Sequence, residues 1–209
     1  MPHAEALPVS APTLTAVLFG LSGCLVDFGA RMRLHSADHP VLEQAHATHA
    51  THGALDILHS LQQQGVPCAW LDELPDSLSQ RLASSLPDWV IASPNTGSRW
   101  PAPDACWQAL MALNASRLDG CVLVSGEPRL LQSGLNAGLW TIGLASCGSL
   151  CGMSPAQWQA LSQQERELKR GKATLHLFSL GVHSVIDHLG ELPTCLADIG
   201  QRRLKGEKP

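Results

Sequence analysis

The sequence predicts an α/β protein with a parallel sheet covered by helices on both faces. Two observations predict this. Short, unbroken apolar runs alternate with segments of helical periodicity, and a strand buried on both faces is apolar throughout. Several of the helical segments are followed by glycine, the residue that most easily takes the left-handed turn at a helix end. The size agrees. The 209 residues, 44% hydrophobic and 15% charged, suffice for one ordinary core and exclude a disordered or disulfide-stapled chain.

Residues 15–20, Thr-Ala-Val-Leu-Phe-Gly, read as the first strand running into a tight loop. Residues 54–64 form an amphipathic helix on Leu55, Leu58 and Leu61, stopped by Gly65. Residues 66–71 are the second strand, followed by the loop Asp72-Glu73-Leu74-Pro75. Residues 78–86 are helical and 89–92 give a third strand. Residues 104–114 are a helix with Asp104 as N-cap after Pro103. The fourth strand is 121–124, then a helix over 129–136 closed by Gly138, then the fifth strand over 139–144. Residues 150–180 read as one helical stretch whose Glu165, Arg166, Glu167, Lys169, Arg170 and Lys172 form a solvated face. A brief sixth strand at 185–186 precedes a terminal helix from about Leu189. Residues 1–12, with Pro2, Pro8 and Pro12 and no basic start, read as a flexible leader and not a signal peptide. Residues 13–209 form a single domain. Ligand sites of parallel sheets lie at the carboxyl ends of the strands, here the loops after Phe19, Leu71, Ala92 and Val124.

The charge balance narrows the function. With 18 acidic and 14 basic side chains, net −4, there is no basic surplus for nucleic acid or an anionic membrane. No apolar run reaches the ~18–20 residues of a membrane span. A cytoplasmic protein is expected. Its seven cysteines are Cys24, Cys68, Cys106, Cys121, Cys147, Cys151 and Cys195; they are odd in number, lack a CxxC spacing, and read mostly as small buried hydrophobes. Cys147 and Cys151 are near enough in sequence to pair under oxidising conditions.

The stretch Val17-Leu18-Phe19-Gly20-Leu21-Ser22-Gly23-Cys24-Leu25-Val26-Asp27-Phe28-Gly29 resembles the first motif of the haloacid dehalogenase (HAD) superfamily, a strand running into Asp-x-(Asp or Ala)-Gly-Thr. Three further stretches resemble its phosphonoacetaldehyde hydrolase branch. Trp100-Pro101-Ala102-Pro103 is similar to that branch's Arg-Pro-Ala-Pro. Gly134-Leu135-Asn136-Ala137-Gly138-Leu139-Trp140-Thr141-Ile142-Gly143 follows its helix and strand. So does the tail around Gly181-Val182-His183-Ser184-Val185-Ile186-Asp187, Glu191-Leu192-Pro193 and Gly206-Glu207-Lys208-Pro209. The resemblance implies a HAD-like Rossmannoid three-layer sandwich with a parallel sheet, its cap reduced to residues 30–52.

The same resemblance implies that the family's chemical groups are missing. The nucleophile and Mg²⁺ ligand of the first motif falls on Gly20, the next motif position on Ser22, and the loop threonine on Cys24. The second motif's Thr or Ser falls near Leu71-Asp72. The third motif's cation falls on Trp100, with Arg99 adjacent. The fourth motif's two aspartates fall on Gly126, after Ser125, and on Leu130. The cap lysine that forms a Schiff base has no counterpart, because residues 30–52 contain no lysine. Nucleophile, metal and charge clamp act as a unit, and losing such a unit typically lowers rate on the order of 10⁶-fold. No catalytic residue and no cofactor is therefore expected.

The ligand-binding candidates are Ser22, Gly23, Cys24, Asp72, Arg99, Trp100, Ser125 and Glu127. Trp100 either points into the vacated pocket, where it fills it or offers a stacking platform, or turns away and packs against a loop. Cys24 would be reactive only if its pKa were lowered. Asp27 reads as a loop organiser. His46, His49 and His52 are spaced by three, and His46 with His49 is the weak candidate for a divalent metal. The leading expectation is a catalytically inactive relative with a binding or regulatory role, its partner an unknown protein, a second copy or a small phosphate-like ligand. The competing expectation is a hydrolase of a small phosphate or phosphonate using relocated carboxylates among Asp27, Asp72, Glu73 and Glu127. A histidine-based metal carrier is a third.

Overall fold

The structure, a computed structural model, describes residues 13–26, 49–94 and 97–209. The leader over 1–12, Asp27, His46 and most of the 30–52 cap segment lie outside them. Among the described residues six strands form one parallel sheet: β1 (Ala16–Gly20), β2 (Cys68–Leu71), β3 (Ile91–Ala92), β4 (Cys121–Ser125), β5 (Trp140–Leu144) and β6 (Ser184–Ile186). Their order is β3-β2-β1-β4-β5-β6, so the chain starts in the middle and winds outward both ways. Gly20 lies opposite Leu71 on β2, and Phe19 opposite Val124 on β4. The ends of these three strands thus come to one point.

Alternation along the strands sorts the core into two layers. Val17 and Phe19 of β1, with Val122 and Val124 of β4, pack on one face with Ile57, Leu58 and Leu61 of α1 (Ala54–Gln63) and Leu192, Leu196 and Ile199 of α7 (Leu192–Leu204). Ala16, Leu18 and Leu123 face the other way. They pack with Cys106, Ala109 and Leu110 of α3 (Asp104–Ala112) and Leu130 of α4 (Pro128–Asn136).

Several boundaries differ from the sequence reading, each for a local reason. Leu55 is 48% exposed, and Ile57 takes its place in the buried stripe of α1. α2 is Asp76–Ala83, opened early by Pro75 at the N-cap, whose carbonyl accepts the Leu78 and Ser79 amides (2.9 and 3.0 Å). β3 keeps only two residues because Trp89 and Val90 sit in the turn before it. Pro103, not Asp104, holds the N-cap position of α3, and Asp104 makes no cap hydrogen bond. The 150–180 stretch divides into α5 (Pro155–Ala160) and α6 (Gln163–Ser179), each opened by a serine capping box. A 3-10 turn, Leu189–Glu191, precedes α7. All seven cysteines are buried and free, so Cys147 and Cys151 are not paired. Among the described residues no helix is long and apolar enough to cross a membrane.

Candidate functional site

The loop after β1 is closed on itself. The Leu21 amide donates to Leu71 O (2.9 Å), Gly23 to Val26 O (2.8 Å), Cys24 to Leu21 O (3.4 Å), Leu25 to Gly20 O (3.3 Å) and Val26 to Leu21 O (3.0 Å). The Ser22 amide donates to Asp72 Oδ2 (3.1 Å). A glycine-rich loop cradles a phosphate by turning unpaired amides toward it, and all six of these amides are spent inside the protein. Cys24 is fully buried with its thiol on Val124 O (3.5 Å). Burial, with Cys147 nearby, pushes that thiol well above its ordinary range. It is the inert kind of buried cysteine, not a reactive thiol.

The positions that the family's acids would occupy are closed in. A Cβ on Gly20 would meet Ser125 Oγ at 2.7 Å and Leu130 Cδ2 at 3.3 Å. A Cβ on Gly126 would lie 2.7 Å from both Gly23 O and Cys147 O and 2.8 Å from Gly148 Cα. Gly23 and Gly148 have φ of +70° and +89°, a region other residues enter only with strain. Three loops, after β1, β4 and β5, therefore meet backbone to backbone where metal-binding side chains would stand. Ser125 is fully buried, and its Oγ accepts from the Glu127 amide (3.0 Å).

The Trp100 side chain is buried and also borders the cleft described below. It is 5% exposed and packs in the apolar cluster that holds Leu18, Leu71, Leu123 and Leu130. Its main chain is clamped: the Trp100 amide donates to Glu73 Oε1 (2.6 Å), and Arg129 donates to Trp100 O and to Glu73 Oε2 (3.0 Å). Asn136 Nδ2 adds a bond to Pro101 O (2.9 Å). The sequence reading did not include Arg129 in the site. Its only signal was a cation in the first turn of a helix that starts at a strand end.

Beside this plug lies a cleft of about 930 Å³, between the loops after β2 and β3 and the start of α2. It brings together four of the eight candidates, Asp72, Arg99, Trp100 and Glu127, and adds Glu73, Arg129 and Trp70. Ser22, Gly23, Cys24 and Ser125 are buried outside its lining. Asp72 accepts from the Ser22 and Leu74 amides, at 3.1 and 3.0 Å. Burial raises its pKa, and these amide bonds only partly oppose that. Glu127 caps α4 through the Arg129 amide (3.2 Å). The residues present do not fit the Mg²⁺ of the resemblance. Its positions are Gly20, Gly126 and Leu130, the nearby carboxylates are held by backbone amides or Arg129, and among the described residues no three His, Cys, Asp or Glu side chains are grouped to hold an ion. His49 is exposed and His46 lies outside the described residues.

A central-first, doubly wound parallel sheet with its loops gathered at the strand ends is the architecture of the HAD superfamily. No family model matches the sequence. A phosphonoacetaldehyde hydrolase from Bordetella pertussis is 31% identical over 163 residues, which are 75% of this chain and 59% of that protein. The chain thus spans less than two thirds of the curated relatives it matches. A crystal structure with 66% identity covers 94% of this chain and all of its own, with a TM-score of 0.86. That of a phosphonoacetaldehyde hydrolase-like protein from Oleispira antarctica aligns over the full length of both chains, with a TM-score of 0.82 at 20% identity, a likeness of fold. The chain is thus similar in sequence to phosphonoacetaldehyde hydrolases of the HAD superfamily, and it has the HAD-like fold.

Proposed function

We propose that this chain is a HAD-like protein that has lost the family's hydrolytic chemistry and acts by binding or regulation. The observation that carries this reading is the junction at Gly126, where two carbonyl oxygens 2.7 Å from a would-be Cβ take the room of a metal-binding side chain. Gly20 and Trp100 support it: the first has no side chain to attack phosphorus, and the second puts an apolar ring where the family has a cation. The competing reading, a hydrolase with relocated acids, needs two carboxylates free to exchange protons with a substrate. Asp72, Glu73 and Glu127 each already accept a hydrogen bond from a backbone amide, which weighs against it.

A binding role has two surfaces to draw on. A small phosphate-like ligand would find the exposed Arg99 guanidinium in the cleft, not the amides of the β1 loop. A protein partner, including a second copy, would find Leu168, Leu175 and Phe178 of α6, which are 59%, 73% and 51% exposed and share one helical stripe. The reading places the protein in the cytoplasm. The test is a Mg²⁺-dependent hydrolysis assay with phosphonoacetaldehyde and a panel of phosphate esters. Turnover is expected to stay at the no-enzyme rate with every substrate. Turnover above it that falls at least tenfold in Asp72→Asn or Glu127→Gln would replace this reading with the rebuilt hydrolase.

A further inference from the structure

We infer that His52 and His188 form a binding site for a borderline transition-metal cation, Zn²⁺ or Cu²⁺, away from the strand-end cleft. The two imidazoles have ring centres 5.0 Å apart and planes at 82°. Two imidazoles sharing one tetrahedral ion at about 2.1 Å from each nitrogen have their ring centres about 5 Å apart, so this pair already stands at the spacing that one ion imposes. The Nδ1 of His188 is buried and makes no hydrogen bond, which a buried polar atom rarely tolerates without a partner. A Cβ built on Gly190 would lie 3.0 Å from that Nδ1 and 3.9 Å from His52 Nε2. Both nitrogens therefore border one small space, kept open by a residue without a side chain. On its other side, His188 Nε2 faces Glu191 Oε1 at 3.8 Å.

The two histidines are held by backbone, not by each other. Gly53, at φ +80°, sits so close to the 3-10 turn that a Cβ on it would be 2.4 Å from Gly190 N. Next to His52, the Thr51 amide donates to Leu25 O (2.8 Å), and the Glu191 amide donates to His188 O (3.1 Å). A site on such fixed loops needs little rearrangement to bind. Among the described residues no third ligand completes the set, so water fills the remaining positions. The affinity order follows: Cu²⁺ above Zn²⁺, with the hard cation Mg²⁺ not retained by nitrogen donors.

Calorimetric titration of the full chain with Zn²⁺ and with Cu²⁺ tests this. One equivalent is expected to bind, with Kd at least about tenfold weaker in His52→Ala and in His188→Ala, and unchanged in His46→Ala/His49→Ala. Electron paramagnetic resonance of the one-equivalent Cu²⁺ complex is expected to show splitting from two nitrogens in the wild type and from one in either single variant. If a single variant fails to fold, the His46→Ala/His49→Ala protein keeps the test decisive: its one-equivalent Cu²⁺ spectrum is still expected to show two nitrogens, and a loss of that splitting would overturn the site. No binding by the wild type, wild-type affinity in His188→Ala, or loss of binding only in His46→Ala/His49→Ala would overturn the site.

Discussion

His183 shows how one side chain ties the sheet to the pH. Its Nδ1 accepts the Thr141 amide at 3.0 Å, and its ring lies edge-on to Trp140, with Arg202 over the indole at 4.7 Å. Burial, aided by the Arg202 charge, lowers its pKa. The unfolded chain therefore takes up this proton first, near the ordinary value of about 6.5. This contribution to stability is whole above that pH and declines as pH falls through the window down to the lowered folded value. Proton titration by nuclear magnetic resonance is expected to give His183 a midpoint below 6.5. The loss of Tm between pH 7 and pH 5 is expected to shrink in His183→Asn, which keeps a neutral acceptor. An unchanged Tm profile in that variant would mean that other groups set the acid sensitivity. Trp100 teaches a different lesson at this scale. Its place on the family cation was readable in the residues around it. Its direction was not, because that depends on Glu73 and Arg129, which reach it from 27 and 29 residues away.

At the scale of elements, the strands and most helices were legible because their apolar runs are unbroken and several of their stops are glycines. The failures came where backbone satisfaction, not hydrophobicity, sets a boundary. The break between α5 and α6 is the clearest. Ser154 with Gln157 and Ser162 with Glu165 are written in the sequence as capping boxes, yet charge content alone makes 150–180 look continuous. In the structure Ser162 Oγ accepts the Glu165 amide (3.3 Å) while Glu165 Oε2 accepts the Ser162 amide (2.9 Å). The Ser162 hydroxyl also donates to Glu165 Oε2 (2.7 Å), and this bond together with the Ser162 amide holds the Glu165 carboxyl below its ordinary pKa. α6 buries only Ala173 and Leu177 deeply, so tertiary packing does little to define its start and the cap must. Ser162→Ala is expected to destabilise the protein by about 0.5–2 kcal/mol, seen as a Tm lower by roughly 1–8 °C for a chain of this size. A Tm equal to wild type would assign the start of α6 to packing instead.

Over the whole molecule, the sequence predicted the doubly wound sheet and the strand ends at which a site belongs, and that frame stands. What it did not reveal is that the three loops touch backbone to backbone. Glycine at 20 and 126 reads as a missing acid; in space, glycine at 23, 126 and 148 is what lets three loops touch. No single-residue signal announces this, since Gly23 lies more than a hundred residues from both Gly126 and Gly148, which it meets in space. The closure has a consequence opposite to the intuitive one. Restoring the family's acid at Gly126 is expected to damage the fold and not to revive hydrolysis. The collision lies at the Cβ, so Gly126→Ala carries most of it: about 1–3 kcal/mol or more, as for other overpacked sites. Gly126→Asp adds a buried carboxylate without a cation, which deepens the loss. Gly138→Ala serves as the comparison. Its φ of +76° brings strain, but a Cβ there meets nothing within 4 Å, so only the roughly 1 kcal/mol of a left-handed alanine is expected. Thermal melts should therefore rank wild type above Gly138→Ala, Gly138→Ala above Gly126→Ala, and Gly126→Asp last, with no Mg²⁺-dependent turnover in any. A Gly126→Asp protein as stable as wild type would mean that the three loops part readily. The strand ends would then be a closed form of an open site, not a plug.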